Sequence, residues 1–191
     1  RAVFEVGGAG FTHMMFRANP FERFLFLLDL TVPDPLDQQK LAAQFQRGFD
    51  RFDPATYAPY LLDEEVPFGP PTLPSERRVL LQMGLGDSSV PNLGSTLHVR
   101  YLGVPWVRAS AVDAPFGFDV VDADHDGSGF VAFDFGVDPT QAGVADFPPE
   151  NGVHEGVRRT EPALRQVDAF LNRGVVVGGC DDGPCPRLSI P

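Results

Sequence analysis

Two hydrophobic periods alternate along the chain. Ala2-Val3-Phe4-Glu5-Val6 is a short β-prone run ending in Gly7-Gly8-Ala9-Gly10, the pattern of a buried strand that delivers the chain to a tight loop at a sheet edge. Arg78-Val79-Leu80-Leu81-Gln82-Met83-Gly84 reads as a second strand, and Val104 to Val107 as a third. Between the first two the spacing turns helical. Phe21 to Leu30 is apolar almost all round, Leu36 to Phe52 has helical spacing through Leu41, Phe45 and Phe49, and Pro54 to Leu62 reads as a further short helix. Pro67-Phe68-Gly69-Pro70-Pro71 then breaks the chain. Past the second strand a helix is expected from about Leu93 to Leu102. Glu155 to Leu171 has a helical pattern through Val157, Leu164, Val167 and Phe170. Phe116 to Phe135 reads as an acidic, β-prone insertion and Phe147 to Val153 as a loop. Strand, helix, strand, loop, helix is the order of an α/β protein.

Composition narrows the function classes. With 43% hydrophobic and 21% charged residues in 191, the chain has the makings of one core and not of a disordered segment. A net charge of -11, with a single lysine and the 15 basic residues scattered, argues against a nucleic-acid or anionic-membrane surface. No apolar run approaches the roughly 20 residues of a spanning helix, so no transmembrane segment is expected. The first residues lack the layout of a signal peptide, and the absence of a starting methionine suggests a piece of a longer protein. Cys180 and Cys185 flank Asp-Asp-Gly-Pro, a spacing that can close a small disulfide loop, with two free thiols as the alternative. A disulfide implies an oxidising, extracytoplasmic setting: secreted, periplasmic or cell-surface.

The stretch Gly84-Leu85-Gly86-Asp87-Ser88-Ser89-Val90-Pro91-Asn92 follows the strong strand directly. A carboxylate just past the C-terminal end of such a strand is where open α/β sheets gather catalytic groups. Strand, then Gly84, Asp87, Val90 and Pro91 as Gly-x-x-Asp-x-x-Val-Pro, resembles the acid loop of α/β-hydrolases. Asn151-Gly152-Val153-His154-Glu155-Gly156-Val157-Arg158-Arg159, a histidine ahead of the last helical pattern, resembles the histidine loop of the same family. The order, acid before histidine, agrees as well.

The resemblance implies the C-terminal part of an α/β-hydrolase sheet, with residues 1–10 and 75–191 in the core and 11–74 as a helical lid or cap insertion. It implies a serine esterase or lipase, in which Asp87 orients His154 and His154 activates a serine. None of the seven serines stands in a Gly-x-Ser-x-Gly elbow, so the nucleophile and oxyanion loop belong to a missing N-terminal half. That half and an ester or lipid substrate are the expected partners, and this chain alone is expected to be inactive. Singly, an Asp in such a loop is more often an N-cap or Asx-turn residue than a catalyst, and a His before a helix more often a cap or surface group. His13, His98 and His125 have no comparable context. His98 reads as a helix surface or packing residue, and His13 as core packing with a place near a pocket mouth as the alternative.

Asp122-Ala123-Asp124-His125-Asp126-Gly127-Ser128 resembles the first half of a calcium loop of EF-hand or dockerin type. Asp122, Asp124, Asp126 and Ser128 are its candidate ligands for a structural calcium, and no cofactor is expected for catalysis. Phe133 stands where a bidentate Glu is expected, and the alternative is a hairpin turn with solvated carboxylates. This motif motivates a second functional reading, a noncatalytic, calcium-stabilised extracellular module. The aromatic load of residues 11–52 suits an acyl pocket or the core of a helical cap, with Phe11 to Phe16 as the candidate pocket wall.

Overall fold

The computed structural model describes residues 1–62, 76–137, 149–180 and 183–191. The breaker cluster from Pro67 to Pro71 and the start of the expected 147–153 loop lie outside them. Strand β1 (Ala2–Glu5) is followed by helices α1 (Phe11–Met15), α2 (Glu22–Thr31), α3 (Pro35–Phe49) and α4 (Pro54–Leu61), with a 3-10 turn at Asn19–Phe21. Strand β2 (Val79–Gly84) leads into α5 (Asn92–Leu102), then β3 (Trp106–Val107), β4 (Val120–Val121), β5 (His125–Asp126) and β6 (Gly129–Phe133). Helices α6 (Val153–Arg159) and α7 (Glu161–Arg173) and strand β7 (Val175–Val176) follow.

The protein is α/β. Among the described residues five strands form one parallel sheet in the order β1-β2-β6-β3-β4, and β5 and β7 pair antiparallel in a separate ribbon. The expected insertion at 116–135 is therefore corrected, because its second half is the central strand. Gly129-Phe130-Val131-Ala132-Phe133 has no polar side chain and is buried at every position, which suits a strand covered on both faces. The period of two then sorts the core. Val79, Leu81 and Met83 of β2 join Phe130, Ala132 and Trp106 against Val99 and Leu102 of α5 and Ala58 of α4. Leu80, Val131 and Phe133 face the other way, against Val153, Val157, Ala163 and Phe170 of α6 and α7. Each fully buried aliphatic or aromatic side chain in these two layers contributes about 1.5–3 kcal/mol.

Local chemistry sets the helix ends. The Asp34 side chain caps α3 by accepting from Leu36 and Asp37 N–H, with Pro35 in the first turn. The helical run expected from 155 to 171 divides in two, because Thr160 is extended and Pro162 lies in the first turn of α7. Gln82, 1% exposed, donates to Gln166 Oε1 at 2.9 Å and Ala163 O at 3.1 Å, tying β2 to α7 inside the core. No helix among the described residues is long and apolar enough to cross a membrane. Among the described residues strand β1 is an edge, paired only with β2.

Candidate active site

Asp87 lies in the loop that leaves the carboxyl end of β2, and its carboxylate is 1% exposed. A buried charge requires donors on every oxygen it turns inward. Oδ1 accepts from the backbone N–H of Ser89 at 2.7 Å and of Val90 at 3.0 Å. Oδ2 lies 2.9 Å from Nδ1 of His154, 67 residues further on. One oxygen of Asp87 thus makes the Asx turn, and the other meets an imidazole. In the neutral ring, a proton on Nδ1 donates to Asp87 and leaves Nε2 as the acceptor nitrogen. The His154 side chain keeps 18% exposure, so the ring is held and yet reachable.

His154 is not on a loop ahead of a helix, as expected, but is the second residue of α6. The first turn of α6 is fastened to the Asp87 loop by residues to which the sequence reading gave no role. Asn151 Nδ2 donates to Gly86 O at 2.8 Å, Ser88 Oγ donates to Glu150 Oε2 at 3.3 Å, and Glu150 Oε1 accepts from Gly152 N at 2.8 Å. On the β2 side, Asn92 Oδ1 accepts from Gly86 N at 2.8 Å while its Nδ2 donates to Gly84 O at 2.6 Å. The only signal for these in the sequence was the density of Asn, Ser and Gly around the two motifs, which is a loop signal and not a pairing signal. A Cβ at Gly84 would collide with Val153 and Val157, so the bare backbone there lets α6 approach the strand end.

The structure does not assemble the expected calcium ligands. Asp122 Oδ1 accepts from Arg108 Nε at 2.8 Å, and Asp126 Oδ1 pairs with the Arg78 guanidinium. Ser128 Oγ accepts from Val79 N–H at 3.0 Å and so anchors the start of β2. His125 and Asp126 belong to a strand paired with Val176 and Val175. Among the described residues no group of three or more His, Cys, Asp or Glu gathers as a metal site, Asp124 included.

Cys180 and Cys185 form a disulfide. Of the expected pocket wall, Phe11 packs instead in an aromatic cluster, with ring centroids 4.5 Å from Phe49 and 5.6 Å from Phe21. Phe16 and His13 do line a cavity of about 370 Å³ between α1 and α3, together with Thr12, Arg17 and Gln46. His13 is exposed and is not a core residue, because α1 is short and buries only Thr12 and Met15. His98 is 4% exposed and packs 5.3 Å from the Phe4 ring. Burial holds its pKa down at about 4, against a smaller upward influence from Asp53.

Comparison with known proteins finds no matching family model, no matching curated protein and no matching solved structure.

Proposed function

We propose that these residues carry the acid and the base of a serine ester hydrolase of the α/β-hydrolase type, with 11–74 as an inserted cap. One observation carries the reading: Asp87 Oδ2 and His154 Nδ1 meet at 2.9 Å at the carboxyl end of a parallel sheet, with the carboxylate buried and otherwise satisfied. A structural cap or surface histidine has no need of a buried carboxylate on one nitrogen. The strand order β1-β2-β6, with the acid after β2 and the base after β6, agrees with the reading.

The nucleophile comes from a segment outside these 191 residues. Among the described residues no serine hydroxyl bonds the His154 ring. In the proposed reaction the serine Oγ attacks the ester carbonyl carbon while its proton passes to His154 Nε2. Asp87 stabilises the imidazolium, and the alcohol leaves with that proton as the carbonyl re-forms. Water, deprotonated by the same nitrogen, then attacks the acyl carbon, and the bond to serine Oγ breaks as Nε2 returns the proton to Oγ and the acid is freed. Asp87 keeps the tautomer and orientation of the ring throughout.

The test is ester turnover by the intact protein that contains this chain, using p-nitrophenyl acyl esters of graded length. Turnover that His154→Ala lowers by several orders of magnitude, with KM little changed, is the expected result. No turnover by the intact protein, or turnover indifferent to His154→Ala, would overturn the reading.

A further inference from the structure

The backbone of Gly86, the residue before Asp87, is held from both sides by asparagine side chains. Asn92, the first residue of α5, accepts from Gly86 N–H at 2.8 Å through Oδ1 and donates to Gly84 O at 2.6 Å through Nδ2. Asn151, two residues ahead of α6, donates to Gly86 O at 2.8 Å through Nδ2, while its Oδ1 accepts from Val153 N–H at 3.2 Å. Gly86 itself has φ +78°, and a Cβ there would stand 2.7 Å from Val137 Cγ1, so the loop turns at this point in a way that glycine alone permits at low cost. Each amide spans two pieces of backbone. Together they join the end of β2, the start of α5 and the start of α6 through one residue.

The hydrogen bonds of Asp87 give this clamp its consequence. With Oδ1 committed to Ser89 N–H and Val90 N–H, the carboxylate cannot swing without breaking its own turn, so the place of Oδ2 is set by the loop backbone that leaves Gly86. The place of the imidazole is set in the same way by the first turn of α6, where His154 follows Val153. Asn151 bonds one residue away from each partner, to Gly86 O on the side of the acid and to Val153 N–H on the side of the base. An asparagine that serves only an Asx turn needs only its oxygen, and aspartate does as well there. The Nδ2 ends of Asn92 and Asn151 both donate to carbonyls of the acid loop and the strand before it, a bond that a carboxylate cannot make.

We propose that Asn92 and Asn151 are the positioning residues of the Asp87–His154 pair, clamping Gly86 from both sides and so holding Asp87 Oδ2 against His154 Nδ1. Their part in turnover rests on the reading of that pair as acid and base, and both act through the pair and not on the substrate.

The experiment compares Asn151→Asp and Asn92→Asp with the unmodified intact protein. Each aspartate keeps the oxygen that accepts a backbone N–H and turns its other oxygen against a carbonyl. In the unmodified protein the side-chain amide protons of both asparagines should exchange slowly with solvent, and the His154 Nδ1 proton should appear downfield by NMR. In each aspartate variant that proton should be lost, and kcat on p-nitrophenyl esters should fall about a hundred-fold with KM little changed. Asn151→Ala should do no more harm than Asn151→Asp, whereas a residue serving only the turn would be rescued by aspartate. Asn151→Ser, which keeps a turn acceptor and adds no charge, carries the same test if the aspartate variants fail to fold. Fast exchange of the two side-chain amides in the unmodified protein, or aspartate variants that retain the Nδ1 proton, would overturn the proposal. The imidazole signal is read without ester chemistry, so the two readings fail separately. Loss of the proton in the variants of a protein that turns over no ester would uphold the clamp and defeat the hydrolase, and full turnover by both aspartate variants would do the reverse.

Discussion

The Val153 side chain packs directly over the bare α-carbon of Gly84, at the end of the strand that delivers Asp87. This contact sets how closely α6 approaches the sheet, and therefore where the ring of the next residue, His154, lies relative to the carboxylate.

Gly84→Ala should push α6 outward, because the nearest neighbours are core side chains without room to retreat. Overpacking of this kind costs about 1–3 kcal/mol. The expected outcome is a lower Tm by calorimetry together with a weakened Asp87–His154 hydrogen bond, seen as loss of the downfield imidazole proton by NMR. A full Tm with that proton intact would show that α6 is not positioned by this contact.

Asp87→Asn preserves the shape of the acid loop but presents His154 with a side chain that can stabilise the wrong tautomer. In triad enzymes such a change costs about ten-thousand-fold in kcat. On the proposed function, the intact protein should show a loss of that order. The double variant with His154→Ala should be no worse than His154→Ala alone, since both disable the same proton transfer. Additive losses would assign the two residues to different steps.

Acid should destabilise the protein through two groups remote from the dyad. Burial alone raises the Asp53 pKa, but hydrogen bonds from Phe11 N–H, Ala55 N–H, the Gln46 amide and Gly10 N–H outweigh it and hold the carboxyl below 3.8. A carboxyl lowered on folding contributes stability that is complete above its unfolded pKa and is lost as pH falls through the folded value. His98, held at about 4 instead of 6.5, acts earlier: as pH falls from 6.5 towards 4 the unfolded chain takes up a proton that the folded protein refuses. Tm should therefore decline between pH 6.5 and 4 and again below that. His98→Leu should remove the first slope and Asp53→Asn the second, with Asp53→Ala costing about 2–4 kcal/mol at neutral pH because it orphans four donors. A flat Tm from pH 7 to 4 in the unmodified protein would contradict this account.

Calcium should leave the melt unchanged. Arg108 and Arg78 already neutralise Asp122 and Asp126, so no repelling cluster is present for a cation to relieve. Thermal melts in chelator and in millimolar calcium check this, and a calcium-dependent rise in Tm would favour the loop reading of Asp122, Asp124, Asp126 and Ser128.

The open edge of β1 should promote association. Ala2 and Val6 N–H point to β2, accepted by Arg78 O and Gln82 O, so by alternation the N–H groups of Val3 and Glu5 face the side that has no strand among the described residues. The isolated 191-residue chain should self-associate with rising concentration in analytical ultracentrifugation. Val3→Pro, which removes one outward N–H without touching the ladder to β2, should reduce that association. A monomer at all concentrations would mean that the edge is already protected.

Periodicity alone located the strands at Ala2–Glu5 and Val79–Gly84 and the helices α2 to α5 nearly to their ends, because each carries its burial pattern within a few consecutive residues. The motifs around Asp87 and His154 were legible for the same reason: each is a local string at the end of a local element. What the chain could not state locally is which strings meet. The central place of β6 depends on both sheet faces being covered by α5, α6 and α7, and without that knowledge an apolar run after an acidic turn reads as an insertion. The fate of Asp122 and Asp126 was decided by Arg108 and Arg78, the second of them 48 residues away from its carboxylate. The split at Thr160 was within reach of the sequence through Pro162, whereas the clamp on Gly86 was not. It needs the loop after β2 and the starts of α5 and α6 brought together, and only tertiary packing determines whether a loop asparagine ends in solvent or on a carbonyl 65 residues away.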